Sequence, residues 1–198
     1  MKRFFALGAG LFVVAASLLG CAGNANRASD GWVTLIDGGS GLADFVRVGD
    51  ANWREQDGAV MADKGGKVSS HLVTRASFTD FVLYAEFWTS DDANSGIFVR
   101  LSDREKITAT NSYEVQINDK HPAYATSSIV NFAKASPLSK AGGRWNTFEI
   151  TAKGPRVIVK MNGQQTVDMS DRSFFHGPIA LQYVTGVVKF RKVQIKPI

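Results

Sequence analysis

Apolar and polar residues alternate with a period of two along most of the chain after residue 31, in short runs. In FVLYAEFW (81–88), Phe81, Leu83, Ala85 and Phe87 form one set and Val82, Tyr84, Glu86 and Trp88 the other. In GIFVR (96–100), Ile97 and Val99 oppose Phe98 and Arg100. In YEVQI (113–117), Tyr113, Val115 and Ile117 oppose Glu114 and Gln116. A period of two is that of a strand with one face in a core. WVTLID, HLVTR, WNTFEITAK, PRVIVKM, QQTVDM, PIALQYV and VVKFRKVQIKPI continue the series, divided by Gly, Asn, Asp and Ser. Asn162-Gly163 predicts a type I′ hairpin, and Asp57-Gly58 a second one. Only LADF (42–45) suggests a helical turn, and no segment keeps a helical period for ten residues. Many short strands with hairpins and no helices predict an antiparallel sandwich or jelly roll.

The faces turned away from the core carry the candidate chemistry. Across three runs they offer Tyr84, Glu86, Trp88, Phe98, Arg100, Glu114 and Gln116. Sugar rings stack their C–H faces on aromatic surfaces, and their hydroxyls pair with carboxylate, guanidinium and amide groups. The same residues would also suit a solvated outer face with a few exposed aromatics.

The chain ends change the setting. Lys2 and Arg3, an apolar run and Leu18-Leu19-Gly20-Cys21 follow one another as the parts of a secretory signal. The apolar run is shorter than the roughly 20 residues of a bilayer-spanning helix. LLGC resembles the lipobox of bacterial lipoproteins, which implies a signal peptide at 1–20 and an acylated Cys21. A polar tether then runs to residue 30, and one domain spans 31–198. The expected location is the bacterial cell envelope, lipid-anchored, with the outer membrane facing the periplasm favoured because Ala22 follows Cys21. Cys21 is the only cysteine, so no disulfide forms within the chain. Net charge falls from +5 to +3 once Lys2 and Arg3 leave. No basic block with interleaved aromatics is present, which argues against nucleic acid as a partner.

Taken in order, DGGSGLADF, NSGIF followed by Arg100, YEVQ with Asp119, Trp145-Asn146, Asn162-Gly163, and Gly177-Pro178-Ile179 with Leu181-Gln182 resemble the domain once called DUF1080. That family is now described as 3-keto-disaccharide hydrolase, or 3-keto-glucoside lyase and hydratase. The resemblance implies a concanavalin A-like jelly-roll β-sandwich of two antiparallel sheets. It also implies activity on glycosides oxidised at C3 of a hexose. A C3 ketone acidifies the C2 hydrogen, so the C1 group leaves by elimination and water then adds. Such chemistry needs a base near C2, a donor on the ketone oxygen and an acid for the departing oxygen. Side-chain chemistry and motif position make Glu114 the candidate acid or base, with Glu86 or Asp119 in reserve. Arg100 is the candidate electrophile or hydroxyl clamp. Gln116 and Gln182 would orient the sugar, and Trp88, Phe98 or Tyr84 would stack on it. A Glu114–Arg100 salt bridge is the structural alternative. Asn162 is expected to serve a turn and Asn146 to satisfy backbone groups. A tyrosine that the family carries after YEVQ has no counterpart in ATSSIVNF (125–132), which holds Ser127, Ser128 and Asn131.

No G-x-S-x-G elbow, P-loop or H-E-x-x-H is present. Gln116 stands where a second strand acid would serve two-carboxylate glycoside hydrolysis, which favours elimination over that route. With three histidines, a His-rich metal centre is not expected. No cofactor is called for; an oxygen-ligated ion such as Ca²⁺ through Asp91, Asp92 or Asp119 stays open. Two functions fit: an anchored enzyme acting on 3-keto-glycosides, or a lectin-like module or scaffold that keeps the sandwich without the chemistry.

Overall fold

The computed structural model describes residues 30–65 and 68–198. Thirteen strands follow in chain order: β1 (Val33–Asp37), β2 (Phe45–Val48), β3 (Arg54–Gln56), β4 (Ala59–Ala62), β5 (Ser70–Thr74), β6 (Phe81–Thr89), β7 (Ser95–Val99), β8 (Tyr113–Ile117), β9 (Trp145–Lys153), β10 (Arg156–Met161), β11 (Gln164–Ser170), β12 (Ala180–Tyr183) and β13 (Val188–Pro197). One 3₁₀ turn, Leu42–Asp44, falls where LADF suggests it.

The strands form two antiparallel sheets, the all-β jelly-roll sandwich that the alternation predicts. The large sheet runs β11-β10-β9-β6-β13-β4-β3, with β1 also paired to β13; the small one runs β2-β5-β12-β7-β8. The inward faces supply the core. Phe81, Leu83, Ala85, Phe87, Phe148 and Ile150 come from the large sheet; Leu72, Ile97, Val115 and Leu181 come from the small one. Strand β6 shows the period directly, its residues alternating between buried and half-buried.

Alternation fails once in β13, where Phe190 and Val193 both face the core although two residues, Arg191 and Lys192, lie between them. The register of β13 against β6 shifts between Phe190 and Lys192. Such a bulge inserts one extra residue and restores the inward face beyond it. Both expected hairpins form. Asn162 and Gly163 have φ of 51° and 82°, and Asp57 and Gly58 have 53° and 70°, the paired positive values of a type I′ turn. Asn162 also accepts the Thr147 N–H at 2.8 Å through its side chain. Asn146 donates to the carbonyls of Ala141 and Arg144.

Candidate functional site

The outer face of the small sheet holds the polar residues of interest. Leu72, Val115, Ile117, Leu181 and Tyr183 point into the main core, so their neighbours His71, Gln116 and Gln182 point outward. His71 pairs with Gln182 across β5 and β12. Gly96 pairs with Gln116, and Phe98 with Glu114, across β7 and β8. Continuing the Leu181–Ile97 pairing by one step sets Gln182 beside Gly96. The row therefore reads His71, Gln182, Gly96, Gln116. The next row along the strands reads Val73, Ala180, Phe98, Glu114.

This face is dry at one end. Val73, Phe98, Ala180, Leu101 and Ile107 form a second, smaller apolar cluster. The loop after β7 thus folds back over Phe98 and leaves it 1% exposed. Beside β8, the chain at 127–130 runs on as an added edge: Val130 N–H donates to the Glu114 carbonyl, and Gln116 N–H to that of Ser128. This is the stretch in which the family tyrosine lacks a counterpart; it borders the polar rows all the same.

Four polar side chains are held between these walls: Glu114 at 8% exposed, Gln116 at 4%, Gln182 at 8% and His71 at 2%. Burial alone pushes the Glu114 carboxyl up to about 7, because a desolvated carboxylate is disfavoured. Burial likewise holds the His71 imidazole down to about 4, so the ring is neutral at neutral pH. Two buried side-chain atoms on this face, His71 Nε2 and Gln182 Oε1, have no hydrogen-bond partner. The His71 ring meets Phe98 edge to face, with centroids 5.3 Å apart.

Gly96 makes room for the acid. A Cβ there would sit 3.2 Å from Glu114 Oε1 and 3.3 Å from its Cγ. The Glu114 side chain therefore lies across β7, in the space that a glycine leaves.

Arg100 is not in this group, which corrects the pairing expected for it. Its φ of 57° breaks the alternation of β7. The side chain turns to the end of the sandwich, where it is completely buried. Nε and Nη2 donate to the Thr79 carbonyl at 3.0 and 2.8 Å. Nη1 donates to Gly154 and Phe174 carbonyls at 2.7 and 3.1 Å, and Nη2 to Asp80 Oδ1 at 3.0 Å. Thr79 and Asp80 lead into β6, and Gly154 lies in the β9–β10 turn, so Arg100 ties the small sheet to the large one. A Glu114–Arg100 salt bridge does not form.

Tyr84, Glu86 and Trp88 also lie elsewhere, on the outer face of the large sheet. Glu86 accepts the Tyr84 hydroxyl at 2.9 Å and pairs with Arg191. Lys189 stands over Trp88, and Arg191 over Trp145. The sequence shows that each strand has such a face, but not that β6 and β8 belong to opposite sheets. Asp119 is a loop tie: it accepts the Thr126 hydroxyl at 2.6 Å and the Ala141 and Gly142 N–H groups at 2.9 and 3.0 Å. Phe98 is too buried to offer a stacking face and serves instead as floor. The structure brings Glu114, Gln116 and Gln182 together. His71 and Gly96 are the additions; HLVTR does place His71 with Val73, yet its neighbour strand is not legible locally.

Among the described residues no three His, Cys, Asp or Glu side chains gather as a metal-binding group. A cleft of about 570 Å³ is lined by Ser77, Leu101, Ser102, Arg104 and His176, and by none of His71, Glu114, Gln116 and Gln182. Its Arg104 is engaged by the carbonyls of Thr74 and Arg75 and by the Ser77 hydroxyl. Residues 1–29, with the expected signal peptide and Cys21, lie outside the described residues.

A buried acid and a set of amides thus lie together on one face of a two-sheet jelly roll. The chain belongs to the 3-keto-alpha-glucoside-1,2-lyase-like domain family, whose model matches residues 31–196. In kind it is therefore glycoside-hydrolase-like or carbohydrate-binding. Two solved proteins of Parabacteroides distasonis, each described as a "putative glycosyl hydrolase", share the fold. One is 23% identical with a TM-score of 0.69, over 84% of this chain and 99% of that one. The other is 17% identical with a TM-score of 0.65, over 85% and 89%. The carbohydrate-binding module CBM66 from Bacillus subtilis is 16% identical with a TM-score of 0.58, over 84% and 95%. No curated protein matches the chain.

Proposed function

We propose that this protein cleaves 3-keto-glycosides on the outer face of the small sheet, with Glu114 as the proton-transfer group. The observation that carries this reading is a carboxyl raised to about 7 by burial, free of any side-chain partner among the described residues and leaning over Gly96. A general acid–base group works best when its pKa lies near the working pH.

In the proposed course, ionised Glu114 takes the proton from C2 and the C2–H electron pair moves into C2–C3, leaving negative charge on the ketone oxygen. That charge returns, C1–C2 becomes a double bond, and the C1–O bond breaks. The departing oxygen leaves with the proton that Glu114 gained. Water then adds across C1–C2, so the sum is hydrolysis to a free 3-keto-sugar and an alcohol. Gln116 and Gln182 hold ring hydroxyls beside the acid. The sandwich is carried at the cell envelope by a lipid on Cys21 and the tether that follows.

The test is product release from a 3-keto-glucoside. Glu114→Gln should lower kcat by about 10²- to 10⁴-fold without changing the melting point at pH 5. Undiminished turnover in Glu114→Gln overturns the assignment. Tight binding of the sugar with no turnover by the wild type would instead make the protein a lectin-like module. Labelled fatty acid should enter the wild type and not Cys21→Ala, and incorporation that persists in Cys21→Ala would overturn Cys21 as the lipid's site.

A further inference from the structure

Two buried polar atoms on the site face lack partners, and they are of complementary kind. His71 and Gln182 are cross-strand neighbours, the first 2% exposed and the second 8%. His71 Nε2 and Gln182 Oε1 are both without a hydrogen bond, and they do not bond to each other. An orphaned buried polar atom costs about 1–3 kcal/mol, a cost that a ligand satisfying both atoms would relieve.

The oxygen of Gln182 can only accept. A neutral imidazole offers one donor and one acceptor, according to which nitrogen bears the proton. With the proton on Nε2, the pair presents a donor beside an acceptor. The matching ligand edge carries an acceptor beside a donor, which on an oxidised sugar is a ketone oxygen with a hydroxyl on the next carbon. Two adjacent hydroxyls would not need this arrangement, since each can donate or accept.

Position agrees with this match. β12 and β7 separate β5 from β8, which sets the His71 and Gln116 backbones about 14 Å apart across the sheet. Glu114 leans inward over Gly96, and the His71 ring reaches toward Phe98. On this face Gln182 therefore lies between the acid, which leans toward it over Gly96, and the imidazole on the strand beyond.

We propose that His71 and Gln182 bind the keto–hydroxyl edge of the oxidised sugar, His71 Nε2–H donating to the C3 ketone oxygen and Gln182 Oε1 accepting from the C4 hydroxyl. This rests on the functional reading above and supplies the donor that Arg100, turned away at the end of the sandwich, does not provide. As the C2 proton leaves, the oxygen gains charge and the hydrogen bond from His71 strengthens, so the contact serves the reaction as well as binding. Burial keeps the ring neutral; the bond is then a neutral donor's and needs no proton transfer from His71.

The test uses 1,5-anhydroglucitol oxidised at C3, a ligand with no group to expel at C1. In wild-type protein labelled with ¹⁵N-histidine, NMR should show the His71 proton on Nε2, with its resonance moving downfield on adding this ligand. The C4-deoxy analogue should bind about tenfold more weakly to wild type and equally to Gln182→Met. His71→Phe should lose the preference for the ketone over the parent C3 alcohol. A proton on Nδ1 in the bound state, or a ketone preference intact in His71→Phe, overturns the inference while leaving Glu114 untouched. If the wild type neither binds the oxidised ligand nor turns over the glycoside, the functional reading falls, and this one with it.

Discussion

Replacing Arg100 separates a residue that holds the sandwich closed from one that handles substrate. In Arg100→Met the cavity stays filled with apolar atoms of similar length. The carbonyls of Thr79, Gly154 and Phe174 lose their guanidinium donors, and Asp80 loses its cation. Asp80 keeps the Gly154 N–H at 2.9 Å, and its side chain is 33% exposed against 0% for Arg100. Water can therefore reach the acid, which puts the loss at the lower end of the range for breaking a buried ion pair, about 3 kcal/mol. For a domain of this size that is a fall in melting temperature of about 6–12 °C. Arg100→Lys should recover little, because one ammonium cannot make five contacts set at a guanidinium's spacing. Circular dichroism melts give the stability, and kcat/KM is read well below both transitions. We expect the melting point to fall and the turnover of the surviving folded protein to stay within about threefold of wild type. A melting point within about 2 °C of wild type, together with turnover lost a hundredfold, would refute the reasoning.

The remaining predictions concern the site and its supports. The raised Glu114 carboxyl means that the folded protein keeps a proton which the unfolded chain releases, so this residue's contribution is intact below pH 4.5 and is lost as pH rises to about 7. Urea titrations should therefore show Glu114→Gln gaining about 3 kcal/mol over wild type at pH 8 and little at pH 4.5. His71 acts in the opposite sense: its depressed value gives stability that is present above pH 6.5 and is lost as pH falls toward about 4. His71→Gln should flatten that acid limb in the same titrations. Gly96→Ala presses on Glu114 Oε1 and Cγ, so kcat should drop about tenfold by displacement of the acid with a melting change of only a few degrees; unchanged kcat would mean that Glu114 moves without consequence. Asp119→Ala frees the N–H groups of Ala141 and Gly142 and should cost about 1–3 kcal/mol, seen as faster amide exchange at 141–142.

Much of the fold is legible locally because strand periodicity and hairpin chemistry are local. Phe81 to Phe87 state their inward face by alternation alone. Asn162-Gly163 and Asp57-Gly58 state their turns, because few residue pairs tolerate two positive φ values in succession. The β13 bulge is less legible, since KFRKV has no period until Phe190 and Val193 are seen to share a core. For the site, alternation correctly separates Glu114, Gln116 and Gln182 from the apolar faces of their strands. It gives the same kind of outward face to Tyr84, Glu86 and Trp88, and nothing within one strand says on which sheet that face will stand.

The sequence by itself determined an all-β sandwich, its principal turns and a set of polar outward positions on each strand, since period and turn geometry act over a few residues. Tertiary structure decided which of those positions meet. Pairing β5 with β12 and β7 with β8 joined His71, Gln182 and Glu114 across residues far apart in the chain. A positive φ at Arg100 sent the expected clamp into the seam between sheets. The loop over Phe98 dried the face on which Glu114 lies. Burial then turned an ordinary strand carboxyl into one poised near neutrality, and burial belongs to the assembled fold rather than to any stretch of chain.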